Sequence, residues 1–343
     1  MTMLGKTTST GRSLSSQRII KRLLDRVKHN DRAGAAAENA LPFLVGNATN
    51  SSNETPMGLV LPQAANEFSK FQSYFSVTNE EVRLLDQSDW SLEEDNDSML
   101  VTKRSRALQE VLESIKEADS IPALRGWRDE DFAVRESFHA PPKLIVERAA
   151  AVLFGVPAYG VFVNGYTCED ENSPSRPSHL WIGTRSPTKQ TWPSRLDSLA
   201  AGGLAAGMLP KQAMINECIE EAGIDIHCLE ENLQAVSAVS YTGFNDDGWG
   251  LKRDVLFCFD LQLPQTFVPS PVDGEMESFE KLPIATILEL LAEPICNQDD
   301  SDNRWKPNVG VVLIDFLLRH GFLDADDPHY LELIGARRGA KCA

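Results

Sequence analysis

The chain has 343 residues, with 33 Lys+Arg against 50 Asp+Glu, a net charge of −17 and a hydrophobic fraction of 42%. That length suggests about two domains, and the acidity excludes nucleic-acid backbone binding as the main activity, because such binding needs concentrated positive charge. No apolar run reaches the ~18 residues of a membrane helix, and six cysteines without CxxC or Cys/His zinc spacing point to reduced thiols rather than a disulfide scaffold.

The first thirty residues are basic, with Lys6, Arg12, Arg18, Lys21, Arg22, Arg26 and Lys28 against Asp25 alone. They read either as a mitochondrial transit peptide or as a flexible leader, residues 1–18, running into the helix SQRIIKRLLDRV. Without a secretory apolar segment the expected compartment is cytoplasmic, with mitochondrial import the alternative. The stretch NATNSSNETPMG is rich in turn residues, and its sequons at Asn47 and Asn50 matter only on a secretory route. FSKFQSYFSVTNEEVRLL then reads as strand plus helix, RSRALQEVLESIKEA as a helix and WRDEDFAVRES as a strand. KLIVERAAAVLFG reads as a short amphipathic helix stopped by Gly155 and Pro157, which places a domain boundary after residue 156.

The second half begins with a strand, AYGVFVNGYT, and its hairpin partner, SHLWIGTRS. A turn-laden segment follows, then the helix PKQAMINECIEEAG with Gly223 as its stop. VSAVSYTG and DVLFCFDLQL are strands, whereas ATILELLAEPI and VGVVLIDFLLRHGFL are closing helices. The expected organisation is a leader 1–18, an accessory α+β domain 19–156, a main domain 157–330 and a tail 331–343. The main domain is of the α/β class, a mixed sheet with helices on both faces.

The densest chemistry lies in GGLAAGMLPKQAMINECIEEAGI, residues 202–224. Glu217, Glu220 and Glu221 stand at i, i+3 and i+4, so they share one helical face and repel one another. A hard divalent cation such as Mg²⁺, which prefers oxygen ligands, relieves that repulsion. A solvated acidic face is the plainer alternative. Ahead of the helix, Gly202, Gly203 and Gly207 permit close approach of backbone to a ligand. Ala213, Met214, Cys218 and Ala222 form the opposite, core-facing stripe.

These residues resemble the Nudix box, G-x5-E-x7-R-E-U-x-E-E-x-G-U, where U is aliphatic. Gly202, Glu217, Glu220, Glu221, Gly223 and Ile224 fall on matching positions, with Cys218 at the first aliphatic one. Met208 stands where the pattern has its first Glu, and Asn216 where it has Arg. With WRDEDFAV, LWIGTRSPTKQTWPSRLDSLAAGG, DGEMESF and RWKPNVGVVLIDFLLRHG, the chain is similar over most of residues 15–325 to a plant and fungal Nudix subfamily. That subfamily has its own N-terminal domain and is fused in some fungi to thiamine pyrophosphokinase. Phe162 replaces the histidine usual in its GVHxNGY strand.

The resemblance implies a Nudix α/β/α sandwich that hydrolyses a diphosphate linkage in a small molecule. Its implied substrate is thiamine diphosphate or its oxidised analogues, cleaved to the monophosphate and phosphate. The implied cofactor is Mg²⁺ or Mn²⁺ held by Glu217, Glu221 and Glu220, with Glu275 from DGEMESF as a further ligand. Glu220 is also the candidate general base. The backbone of Gly202 and Gly203 is placed against the phosphates, as are Arg185 and Lys189. Plain surface charge is the alternative for the last two, and a solvated loop for Glu275 and Glu277. Trp181, Trp192 and Tyr241 are read as core rather than ring-stacking residues, and His320 as structural. Asp129, Glu130 and Asp131 show no metal-ligand spacing. Two other functions stay open: a ligand-binding module of the same fold without turnover, favoured by Met208 and Asn216, and a nucleotide-sugar pyrophosphatase.

Overall fold

The computed structural model describes residues 10–47, 54–87, 90, 97–169, 176–245, 247–295 and 303–339. The leader up to residue 9, the sequon at Asn50, Cys296 and Cys342 lie outside the described residues. In chain order the first half holds α1 (Thr10–Asn30), α2 (Gly34–Glu38), β1 (Leu41–Val45), β2 (Gly58–Val60), α3 (Pro62–Phe68), β3 (Phe75–Val77) and β4 (Val82–Leu84). After these come α4 (Asp97–Glu117), β5 (Asp131–Val134), β6 (Leu144–Glu147) and α5 (Arg148–Ala151). Strands β2-β1-β4-β3 make one small sheet and β5-β6 another. Their core is aromatic: Phe68 stacks between Phe75 and Phe154 at centroid distances of 4.9 and 4.8 Å.

The second half holds β7 (Pro157–Cys168), β8 (Pro177–Arg185), β9 (Leu196–Asp197), β10 (Ala200–Gly203), α6 (Pro210–Ala222), α7 (Ile226–Asn232), β11 (Leu233–Phe244) and β12 (Leu251–Gln262). It ends with β13 (Met276–Pro283), α8 (Ile284–Leu291), α9 (Pro307–Arg319) and α10 (Tyr330–Ala336). Its seven-stranded sheet runs β11-β12-β7-β8-β13, with β10 added on β7 and β9 on β8. The β12–β7 pair is parallel and the others are antiparallel. Alternation along β7 sends Val161 and Val163 to a core shared with Ala213, Met214, Cys218 and Ala222 of α6. Phe162 faces the opposite core, with Leu313, Phe316 and Leu317 of α9. The sheet is thus covered by helices on both faces, the α/β/α sandwich expected.

Several placements differ from the sequence reading. Helix α1, assigned there to the accessory domain, packs its buried Ile20, Leu23, Leu24 and Val27 into the core beneath α8, α9 and α10. Buried Arg26 fastens it there, donating to Leu291 O and Asn303 Oδ1, both at 2.9 Å. Residues 331–336 are no tail, because Leu333 of α10 closes the same core at 0% exposure. KLIVERAAAVLFG opens as strand β6 and turns helical only at Arg148; its β-branched start pairs with β5. In FSKFQSYFSVTNEEVRLL the order is helix end and then two short strands. The acidic loop DGEMESF enters strand β13 at Met276, whose partner β8 supplies the edge for pairing.

Candidate functional site

Helix α6 is bounded as its sequence dictates, by Pro210 at the start and by Gly223 in the left-handed region, φ 63°, at the end. One face is buried by Ala213, Met214, Cys218 and Ala222. The three carboxylates on the other side are not equivalent. Glu220 is exposed and Glu217 half-buried, but Glu221 is 1% exposed, so the alternative of a solvated acidic face does not hold for it. Glu221 tucks under β10, where its Oε2 accepts the Ala201 N–H at 2.9 Å. Burial and the nearby Asp197 carboxylate push its pKa well above the usual carboxylate value.

The glycines form a strand rather than a loop: Gly202 and Gly203 of β10 pair with Val161 and Gly160 of β7. A Cβ at Gly202 would lie 1.8 Å from Glu217 Oε1, so glycine is required for that carboxylate to rest on the strand. At Gly203 the nearest atoms to such a Cβ are 3.8 Å away or more, among them Arg148 Nη1 and Glu130 Oε1 of the first half. Gly207, with φ +86° and nothing nearby, serves a turn before the helix.

Glu217 and Glu220 line a cleft of about 700 Å³ together with Asp273, Glu275, Lys189, Arg185, Gly202 and Gly203. Burial, followed by Glu220, Glu275 and Asp273, raises the Glu217 pKa to about 7, with Lys189 as the opposing charge. Glu275 goes the other way: burial works against ionisation, but an ion pair with Lys189 holds its carboxyl below the ordinary value. Glu277 stands beyond this in β13 and does not line the cleft. Among the described residues no three His, Cys, Asp or Glu side chains converge on one metal-holding point. The donor set is nevertheless all carboxylate oxygen and carries excess negative charge at Glu217, which fits a hard divalent cation.

Arg185 is in the cleft wall but engaged. It donates to Asp197 Oδ2 at 2.7 Å, Trp192 O at 3.1 Å and Thr191 O at 3.0 Å, so its guanidinium shapes the 186–195 loop. Asp197, fully buried, also accepts from Lys306 at 3.0 Å. The Arg185–Asp197–Lys306 group escaped the sequence reading because its members lie 12 and 109 residues apart, with no local spacing to signal them. Trp181 and Tyr241 are buried as expected, and His320 is structural, bound to Asp260 at 2.9 Å. Trp192, at φ +54°, lines a recess beside the cleft. Asn216, in the box position usual for Arg, accepts from Gln212 at 2.9 Å, and Met208 is 38% exposed outside the cleft.

The opposite wall belongs to the first half: Arg128, Glu130, Phe132, Arg148 and Val152 face the sheet across the cleft. Its floor is the face of β7 and β12 bearing Ala158, Gly160, Phe162, Lys252, Asp254 and Leu256. Phe162 and Leu256 continue into the core under α9, whereas Asp254 and Lys252 are part-buried and line the cleft. Asp254 accepts from the hydroxyl of Tyr241, its cross-strand partner. Neither Asp254 nor Lys306 was singled out from sequence, since each reads as an ordinary strand or loop charge.

A family model described as a domain of unknown function, DUF4743, matches residues 22–158. Nudix hydrolase 20, chloroplastic, of Arabidopsis thaliana is 40% identical over 240 residues, 70% of this chain and 59% of its own length. The uncharacterized protein YJR142W of Saccharomyces cerevisiae is 31% identical over 290 residues, 82% of this chain and 79% of its own. Among solved structures, the E. coli dihydroneopterin triphosphate pyrophosphohydrolase aligns with 47% of this chain and 95% of its own at 19% identity, with a TM-score of 0.32. In this chain a helix carrying paired glutamates is laid against a glycine strand in an α/β/α sandwich. The chain is thus similar to plant Nudix hydrolases, and it spans about three fifths of the plant relative's length.

Proposed function

We propose that this protein hydrolyses a diphosphate linkage in a small organic molecule, with a divalent cation, Mg²⁺ or Mn²⁺, as cofactor. The observation that carries this reading is the convergence of Glu217, Glu220, Asp273 and Glu275 with Lys189 and the Gly202–Gly203 strand on one cleft. Seven Lys/Arg and six Asp/Glu line that cleft in a chain of net charge −17, so an anionic ligand meets less repulsion there than elsewhere on the surface. Glu217, Glu220 and Glu275 would hold the cation from the cleft wall, with Glu221 beneath them. When bound, the cation would neutralise phosphate charge and acidify a water. Exposed Glu220 would take the proton of that water, and Lys189 would meet a phosphate oxygen.

For the organic group we propose thiamine diphosphate or, preferentially, its oxidised analogues. The far end of the cleft, with Arg148, Lys252 and Lys306 around Asp254, supports a neutral ring over one bearing a fixed positive charge. Phosphate release from a panel containing thiamine diphosphate, its oxidised forms, ADP-ribose and other nucleotide sugars, with and without Mg²⁺ or Mn²⁺, tests both levels. Glu217→Gln and Glu221→Gln should each lower turnover by at least ~10²-fold in folded protein. Equal activity in those variants would sink the site assignment. One observation favours a binding module without turnover: Met208 and Asn216 stand at box positions that usually carry Glu and Arg. Saturable binding by wild type, without product at any metal concentration, would decide for that reading.

A further inference from the structure

Lys189 and Glu275 come from neighbouring loops that the sheet forces together. Strands β8 and β13 pair with Met276 opposite Arg185, and the Ser186 N–H continues that ladder by donating to Glu275 O at 2.9 Å. A tight turn follows, in which the Lys189 N–H donates to Ser186 O at 3.2 Å and the Ser186 and Thr188 hydroxyls meet at 2.8 Å. The turn delivers the Lys189 ammonium onto the Glu275 carboxylate, with the lysine side chain 24% exposed and the glutamate 45%. Lys189 also acts on Glu217, being the charge that opposes its crowding by Glu220, Glu275 and Asp273.

Three other polar groups near the carboxylates are committed elsewhere. Arg185 is held by Asp197 and two carbonyls, Lys306 by Asp197, and Asn216 is neutral and bound to Gln212. Lys189, in contrast, is a cleft cation whose ion-pair partner, Glu275, is itself a candidate metal ligand. A compact ammonium on a flexible stem can leave such a pair without disturbing the backbone that carries it.

We infer that Lys189 is a tethered counter-ion of the carboxylate cluster, which a divalent cation must displace from Glu275 and which is thereby released to meet the substrate's phosphate. This rests on the proposed function, because it takes Glu275 as a cation ligand. The ammonium and the metal compete for one carboxylate, so each weakens the other's binding reciprocally. A purely structural lysine, holding the 186–191 turn, has the opposite sign: its loss would loosen Glu275 and weaken the metal.

The test is Mn²⁺ titration by calorimetry of wild type, Lys189→Met and Lys189→Arg, with ¹³C-methyl NMR of the reductively methylated wild type. Lys189→Met should bind Mn²⁺ about tenfold more tightly than wild type, whereas Lys189→Arg should stay near the wild-type affinity. In wild type the dimethyl-Lys189 resonance should move when diamagnetic Mg²⁺ is added. Unchanged or weaker metal binding in Lys189→Met overturns the inference while leaving the functional reading intact. Wild type that binds no divalent cation overturns both. Should Lys189→Met fail to fold, the NMR signal decides alone, and a Lys189 resonance indifferent to Mg²⁺ overturns the proposal.

Discussion

Glu217 shows how one residue's titration depends on its neighbours. Its pKa, raised to about 7 first by burial and then by Glu220 and Glu275, means that the folded state holds a proton which the unfolded chain releases near 4.5. Below 4.5 both states are protonated and the group is neutral to stability. As pH rises through 4.5 towards 7 the unfolded chain ionises first, so folding loses free energy; above about 7 the loss is constant. The full shift corresponds to at most about 3 kcal/mol, and partial exposure screens this to roughly 1–2 kcal/mol. Glu217→Gln, melted in EDTA, should therefore match wild type near pH 4.5 and exceed it in stability at pH 8. A stability difference independent of pH would show that Glu217 titrates normally. With divalent cation present the order at pH 8 should reverse, because wild type then gains the binding free energy that the variant lacks.

At the scale of elements, the meeting of α6 with β10 makes the site. A strand of small residues, Ala200–Gly203, lets the helix come close enough for Glu217 to lie on Gly202 and for Glu221 to reach the Ala201 N–H. Gly202→Ala inserts a methyl 1.8 Å from Glu217 Oε1, a clash that the end of a glutamate side chain can evade by swinging away. The fold should survive, with a melting temperature within a few degrees of wild type, while turnover falls at least ~10-fold through misplacement of one carboxylate. Gly203→Ala is the steric control: its nearest neighbours are 3.8 Å away, so stability should hold, and turnover should fall less than in Gly202→Ala. Equal activity of the two variants would separate Glu217's position from function.

Across the whole molecule, helix α1 shares one layer with the C-terminal helices. Helix α1 packs on α8, α9 and α10, and a Cβ at Gly310 of α9 would lie 2.7 Å from Arg26 Cδ, which shows how closely the helices approach. Excision at residue 156 therefore removes part of the main core along with the accessory half, and a fragment starting there should not fold. Leu23, 0% exposed, offers the milder test. Leu23→Ala should cost about 2–5 kcal/mol in urea unfolding, with the proposed hydrolase activity lost in the same transition as the C-terminal helices. A loss under 0.5 kcal/mol would mean that α1 is peripheral. The first half would then act only through the wall it gives the cleft, Arg128, Phe132 and Arg148 among its residues.

The amino-acid sequence by itself determined whatever depends on near neighbours along the chain. Helix α6 between Pro210 and Gly223, the i, i+3, i+4 glutamates, the β7–β8 hairpin and the closing helix α9 all follow from periodicity and caps that act within a few residues. Tertiary structure alone decided which of those glutamates is buried, because exposure of Glu221 depends on a strand twenty residues away. It also decided that Arg185 serves Asp197, that Lys189 meets Glu275, and that α1 belongs with the C-terminal helices. These pairings join segments 12 to 277 residues apart, as Arg185–Asp197 and Arg26–Asn303 show. Coulombic and burial energies are set by distance in space, and no local pattern in the chain encodes that distance.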